Sequence, residues 1–469
     1  MKVAMYVYND VRTDARVLRE ASALAAAGHL VTVVARLDDT RTPAREHRDG
    51  FDIVRVPVPA GLHLVWTFLR YPWRARQVAL ARLAAGRRRG AAGLPDLAVG
   101  TVIGLATIAW SIVRAPFFWA GGATLRLRRQ PPTPGGDLLD WLVRWRWRTL
   151  GWARAAARIV PDADVHHGHD LSGLPAALES RRGRGGVVYD SHEIFLESGS
   201  NATRPAWVRR RFARLEQSWI RQTAAVVTVN DALVAELERR YDTPPVVAVH
   251  NCPPRWIPPA VPEDRIRRAT GIPPDAPIAL YHGGFSPHRG LGQLASAILE
   301  PGLERVHAVY LGYGAERGRL ERLATEPRFG GRIHVVGPVP PEEVVPWVAG
   351  ADVDVMALQP STLNHVLSTP NKLFEALAAG VPVVASDFAE MRRILTEDAA
   401  APLGEMCDPT DPASVAAAIR RIIDLDADQA ASLRARCLSA AHRRWNWETE
   451  SRTLIALYAV LGGAMPMPG

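Results

Sequence analysis

Lysine is nearly missing from this sequence: of 57 basic residues only Lys2 and Lys372 are lysine, and the rest are arginine. Cysteine is scarce too. Cys252, Cys407 and Cys437 are odd in number and scattered, which leaves no disulfide framework and no zinc-ligand spacing, and fits a reducing compartment. No G-x-G-x-x-G follows the first apolar run, which counts against a dinucleotide-dependent dehydrogenase. No acidic pair is suited to a divalent cation, so neither a metal nor a cofactor is expected. The first ten residues carry one positive charge and an apolar run that stops at Asn9. That run is too short for a signal peptide and reads as a first strand.

What is present is enough chain for two cores: 469 residues, 48% of them apolar. The net charge of +9 is local, because residues 61–160 hold sixteen arginines against three acids. The remainder is net acidic and carries no nucleic-acid recognition motif, so nucleic acid is not an expected partner. The same segment holds eight of the fourteen tryptophans and a seventeen-residue uncharged run from Leu97 to Val113. A single span is excluded if the strands on either side share one sheet, and no second run is long enough to return. A helical insertion lying in a membrane interface fits this composition, with tryptophan at the headgroups and arginine on anionic lipid. The alternative is a soluble helical subdomain over a cleft. Leu138 to Ile159 reads as a basic helix leading back to the core. Heavy use of arginine, alanine and glycine points to a bacterial source.

The stretch Thr369 to Asp387 organises the rest. Thr369 is placed to cap a helix and Pro370 to open it, while Gly380 and Pro382 end it before the buried run Val381 to Ala385. Leu373, Phe374 and Leu377 form the apolar stripe, leaving Lys372 and Glu375 together on another face. A cation in the first helical turn opposes the helix dipole. A bound anion removes that conflict, so Pro370, Asn371, Lys372 and Leu373 read as a pyrophosphate cradle. The ordinary alternative is a surface Lys–Glu pair. Where arginine is the rule, a lysine kept here suits a compact point charge.

Upstream, strands at 3–8, 29–36 and 51–58 with a helix at 14–27 make a doubly wound opening. After later strands come His169 and Asp170, then His192 and Glu193, placed by pattern to line a crevice. A proline-rich linker runs to Pro262, and the second domain opens with a strand leading into Gly283, Gly284 and Arg289, where glycines admit a phosphate and Arg289 starts a helix.

The stretch around Lys372 and Glu375 resembles the donor-site motif of the family-four retaining glycosyltransferases, which have the GT-B fold, in its Pro-x-Lys-x-Phe-Glu form. The resemblance implies that Glu375 holds the nucleotide ribose, that Lys372 and Arg289 support the diphosphate, and that backbone near Gly337 and Val339 meets the base. It implies that His192 lies near the donor sugar, and that the first loop, with Asn9, Asp10, Arg12 and Arg16, faces the interdomain cleft. Arg12 and Arg16 are then candidate contacts with donor phosphate or acceptor, or else solvated helix charge. Two positions depart from the family pattern: Leu367 stands where most members carry a glutamate near the sugar, and Gly284 stands where an arginine is usual.

The expected architecture is α/β GT-B, two Rossmann-like domains facing a cleft. Residues 1–262 form the acceptor side, with the insertion at 61–160, residues 263–446 bind the nucleotide sugar, and residues 447–469 form a helix crossing back. The implied activity is sugar transfer with retention to a glycan or lipid-linked acceptor, at the inner face of the cell membrane. A sugar-nucleotide epimerase of the same fold and a non-catalytic nucleotide or glycan binder are the rivals.

Overall fold

Among the described residues, fourteen strands rich in valine and alanine divide into two sheets, β1–β8 and β9–β14. The computed structural model describes residues 1–38, 42–59, parts of 76–109, 138–260, 263–398 and 400–464.

The first sheet runs β3-β4-β2-β1-β5-β6-β7-β8, with β1 at Lys2–Val7, β2 at Leu30–Leu37, β3 at Arg45–Arg48 and β4 at Phe51–Pro57. Its other half is β5 at Val165–His169, β6 at Gly186–Ser191, β7 at Ala225–Thr228 and β8 at Val246–Ala248. The short edge strand β3, unforeseen in the sequence, is antiparallel to β4; the other pairs are parallel. The second sheet runs β11-β10-β9-β12-β13-β14 and is parallel throughout. Its strands are β9 at Ile278–Gly284, β10 at His307–Tyr313, β11 at Ile333–Val336, β12 at Val353–Met356, β13 at Val383–Ser386 and β14 at Gly404–Cys407. Central strands are covered on both faces, which is why they are continuous apolar runs: Val3, Ala4, Met5 and Tyr6 are all fully buried.

Each sheet has one place where chain order reverses, between β1 and β5 in the first and between β9 and β12 in the second. Crevices open at the carboxyl ends of strands at such points. The chain there is β1 leading to Asn9, β5 to Asp170, β9 to Gly284 and β12 to the 357–368 segment, which holds the short helix Leu363–Leu367. The helix Trp447–Ala464 crosses back as expected, burying Leu454 and Tyr458 in the first domain's core while Trp447 N donates to Pro253 O. This is the GT-B architecture.

Most of the basic, tryptophan-rich segment lies outside the described residues. Its last part is described and corrects two expectations. The basic helix is not continuous: Leu138–Val143 and Leu150–Ala156 flank a π-helical turn at Arg144–Thr149. Nor are its tryptophans all at an interface. Trp152 is fully buried against Tyr8, and Trp145 packs on Phe195, Phe212 and Trp219. Trp145 and Trp152, seven residues apart, share the face turned to the core while Arg146 stays exposed.

Candidate active site

The helix Asn371–Ala378 starts one residue later than its sequence suggests. Pro370 is the N-cap residue, with extended backbone and no side-chain cap, and the Thr369 hydroxyl instead accepts from Asn230 Nδ2 of the first domain at 3.1 Å. The first backbone N–H groups of this helix therefore have no side-chain cap. Leu373 N donates to Pro370 O and its side chain is in the core, so Leu373 offers nothing to a ligand. Pro370, Asn371, Lys372 and Glu375 line a cavity of about 460 Å³ together with Gly283, Gly284 and Arg289.

Two cations point into this cavity without a carboxylate within 4.0 Å among the described residues. Lys372 Nζ stands 3.5 Å above the centre of the Tyr281 ring, and Arg289 makes no ion pair with any described residue. Burial of the ammonium, offset in part by Asp354 and reinforced by Arg289, lowers Lys372 to about 7. A Cβ on Gly283 would touch only Lys372 at 4.0 Å, although its φ of +111° favours glycine; a Cβ on Gly312 would lie 2.0 Å from Gly283 O, so only glycine lets β10 approach β9 there. At Gly284 a Cβ would meet nothing within 4 Å; the usual arginine is absent from an open position.

Glu375 is tied to two residues that sequence reasoning passed over. His282 Nε2 lies 3.0 Å from Glu375 Oε2, and its Nδ1 lies 2.6 Å from Asp354 Oδ2. Burial disfavours charge on this ring, yet Asp354 and Glu375 outweigh it and raise His282 to about 9. The hydrogen bond from His282, against the cost of burial, in turn holds Glu375 below the usual carboxylate range. A histidine directly before the Gly-Gly pair was the only available signal, since Asp354 is 72 residues away. Beyond Glu375 the cavity becomes apolar, with Leu311, Tyr313, Pro338, Val339 and Val344 on its wall; Gly337 is not among the lining residues.

Past Arg289 and Asn371 the cavity opens into a cleft of about 950 Å³ between the domains, lined on the first-domain side by Asp14, Arg16, His192 and Glu193. His192 pairs with Asp190 at 3.2 Å and Asp170 at 3.4 Å. Against the cost of burial, these two carboxylates raise the imidazole to about 10. Asn364 ties the domains together here: its Oδ1 accepts from Ile194 N at 2.9 Å, while Nδ2 donates to Ile194 O at 3.0 Å and Glu193 Oε2 at 3.3 Å. Leu367, where a glutamate is usual, packs against the first domain's core and its carbonyl accepts from Asn230 Nδ2 at 2.8 Å.

Beneath the cleft, Arg16 is neither a solvated charge nor a free contact. Its Nε and Nη2 donate to Asp190 at 3.0 and 2.9 Å, Nη1 donates to Val249 O at 2.7 Å, and Glu20 is 3.0 Å away. His169 is buried, stacked on His167 at 4.4 Å, and reaches the cleft only through His192. Glu20, His167, His169 and Asp190 bring metal-type donors within 4.8 Å of one another, but the Arg16 guanidinium already ion-pairs with both acids, at 3.0 and 2.9 Å, and opposes a second cation there. Asn9 and Asp10 shape the first loop by accepting from Val11 N at 2.8 Å and Arg12 N at 3.2 Å, and Arg12 is exposed.

The profile of the family described as Glycosyltransferase Family 4 matches residues 114–253, and that described as Glycosyl transferases group 1 matches residues 276–425. A D-inositol 3-phosphate glycosyltransferase from Catenulispora acidiphila is 28% identical over 342 residues, 67% of this chain and 77% of the relative. A lipopolysaccharide core biosynthesis glycosyltransferase from Rhizobium meliloti is 32% identical over 120 residues, 26% and 32% of the two chains. Among solved structures, sucrose-phosphate synthase from Thermosynechococcus elongatus superposes with a TM-score of 0.65 at 19% identity, covering 99% of this chain and 100% of that one. Anabaena HepE in complex with UDP and glucose superposes at 0.64 and 12% identity, covering 98% and 99%. At these identities the superpositions speak to fold alone.

Proposed function

We propose that the chain is a group 1 glycosyltransferase, a reading supported by a matching family profile in each domain of a GT-B fold, and that it carries out a retaining transfer of a hexose-type sugar from a nucleotide sugar to an acceptor hydroxyl. The observation that carries the donor reading is the convergence of Lys372 and Arg289, both without a carboxylate partner, on the open end of Asn371–Ala378. Diphosphate supplies the missing charge. The apolar wall around Val339 then takes the base, Glu375 the ribose, and the sugar extends past Asn371 toward His192.

In the proposed reaction the glycosidic C–O bond to the diphosphate breaks as the acceptor oxygen bonds the anomeric carbon on the same face. The departing phosphate oxygen takes the acceptor's proton, so no paired carboxylates are required. Lys372, Arg289 and the helix N-terminus stabilise the charge that grows on the diphosphate. His192, kept cationic by Asp170 and Asp190, orients the sugar from the opposite domain. No metal is invoked, because these cations carry the charge a metal would carry.

Thermal shift with UDP, GDP, dTDP and ADP tests the donor site: one of them should stabilise the protein, and no response from any would remove the reading. Labelled nucleotide sugar with a membrane extract separates the classes, since transfer supports this proposal, conversion without an acceptor supports an epimerase, and binding alone a non-catalytic binder.

The acceptor we propose is lipid-linked or a cell-envelope or exopolysaccharide glycan, met at the inner membrane face. No helix among the described residues is long and apolar enough to cross a membrane. In the helical residues 97–106 and 108–109, however, Val99, Val102, Leu105 and Ile108 are exposed, three residues apart, with Val102 66% accessible. Such a stripe beside the arginine-rich segment suits an anionic lipid surface. The protein should float with phosphatidylglycerol vesicles and not with phosphatidylcholine ones, and Val102→Glu with Leu105→Glu should abolish flotation. Equal recovery of that variant would refute the membrane reading.

A further inference from the structure

We infer that His282, held by Asp354, is a positioning residue that presents Glu375 to the donor's ribose and so sets the preference of the site for ribonucleotides. The inference rests on the donor-site reading above and adds to it two residues that touch no ligand. Both ring nitrogens of His282 face carboxylate oxygens, Asp354 Oδ2 at 2.6 Å and Glu375 Oε2 at 3.0 Å. An ionised carboxylate can only accept, so satisfying both contacts requires a proton on each nitrogen and hence an imidazolium. Asp354 is fully buried on β12 and His282 is 3% accessible at the end of β9. The two central strands of the second sheet thus fix the ring rigidly before any ligand arrives.

Glu375 stands at the other end of this line and is the member most open to the cavity, with a fifth of its side-chain surface accessible against 3% for His282, which lines the same wall. One of its oxygens is committed to His282, which leaves Oε1 to face the ligand in a single orientation. A carboxylate oxygen fixed in this way, between a site for diphosphate at Lys372 and an apolar wall at Val339, suits the vicinal hydroxyls of a ribose. The charge on His282 has a second effect. Without it Glu375 and Asp354 would place two uncompensated negative charges beside an incoming diphosphate. Other charged or titrating groups facing the line are Lys372 and Arg289 in the cavity, Tyr281 under Lys372, and Arg19, which approaches Glu375 from the first domain.

The test compares UDP, GDP and ADP with their 2′,3′-dideoxy counterparts and with inorganic pyrophosphate, by equilibrium binding to wild type, His282→Gln, Asp354→Asn and Glu375→Gln. Wild type should prefer the ribonucleotide by about tenfold or more, and each variant should reduce that preference to about threefold or less. Pyrophosphate reads the charge effect alone: it should bind more weakly to His282→Gln and no more weakly than wild type to Asp354→Asn and Glu375→Gln. Because the preference is a ratio within one variant, a reduced folded fraction cancels. A wild-type arm covers the case of variants that do not fold: the ratio should collapse above pH 9, whereas titration of Lys372 weakens both nucleotides equally and leaves the ratio alone. Wild-type discrimination retained by His282→Gln would overturn the inference. Absence of any nucleotide binding by wild type would instead overturn the donor-site reading itself.

Discussion

Lys372→Ala is expected to lose nucleotide-induced stabilisation and to lower turnover by about 10²–10³-fold, with little change in the melting temperature of the unliganded protein. The size follows from what the ammonium faces. It has no carboxylate partner and only the Tyr281 ring beneath it, so in the free protein it stabilises little, while in the complex it meets the charge of the leaving diphosphate. The same residue should make donor binding depend on pH. Burial leaves the free ammonium with a value of about 7, and a bound diphosphate must raise it. Binding at pH 7 should therefore take up about half a proton, and affinity should fall about tenfold per pH unit above 7 until the raised value in the complex is reached. Calorimetry in two buffers of different ionisation enthalpy reads the proton directly, and Lys372→Ala should show none. A variant with near-normal turnover, or a wild type with no proton uptake, would mean that Lys372 is not in the cradle. Arg289→Ala should behave alike in turnover but keep the proton uptake, since arginine stays charged across this range.

What made this site legible in sequence was local chemistry that breaks a local rule. A lone lysine among arginines, set in a first helical turn, pointed to an anion before any geometry existed. Glycines after β9 did the same for the loop. The two sheets were legible because central parallel strands are continuous apolar runs punctuated by glycine. What stayed hidden was pairing over distance. Asp354 with His282, Asn364 with Ile194, and Asn230 with Thr369 each join residues tens to more than a hundred positions apart, so no spacing rule exposes them. Thr369 shows how such a partner overrides a local preference: its hydroxyl had a helix to cap and crosses to the first domain instead. The tryptophans misled for a related reason. Composition treats every tryptophan between residues 61 and 160 alike, whereas Trp145 and Trp152 lie seven residues apart on the core-facing side of their helical stretch.

The sequence leaves Arg16 open between a cleft contact and a solvated helix charge, and its environment supports a large effect of a different kind. Arg16→Ala should destabilise the first domain by about 3–5 kcal/mol, because it leaves Asp190 and Glu20 buried without their cation. That is a fall of roughly 10 °C in melting temperature for a domain of this size. The pH dependence distinguishes this cause from simple loss of packing. In the wild type, burial is outweighed by Arg16 and His192, which hold Asp190 well below the usual carboxylate range. Its contribution is thus complete above the unfolded value and is lost only as pH falls toward the folded one. Glu20 has the opposite sign: burial, only partly offset by Arg16, pushes it up to about 8. The folded chain binds that proton more tightly than the unfolded one, so Glu20 costs stability as pH rises from about 4.5 toward 8. Glu20→Gln should therefore be neutral or stabilising at pH 8. In Arg16→Ala both acids titrate upward, so its deficit should be largest at pH 8 and shrink toward pH 5 as protons replace the missing guanidinium. A deficit of the same size at both pH values would assign Arg16 a packing role, and the charge network beneath His192 would then have no part in holding that histidine toward the cleft.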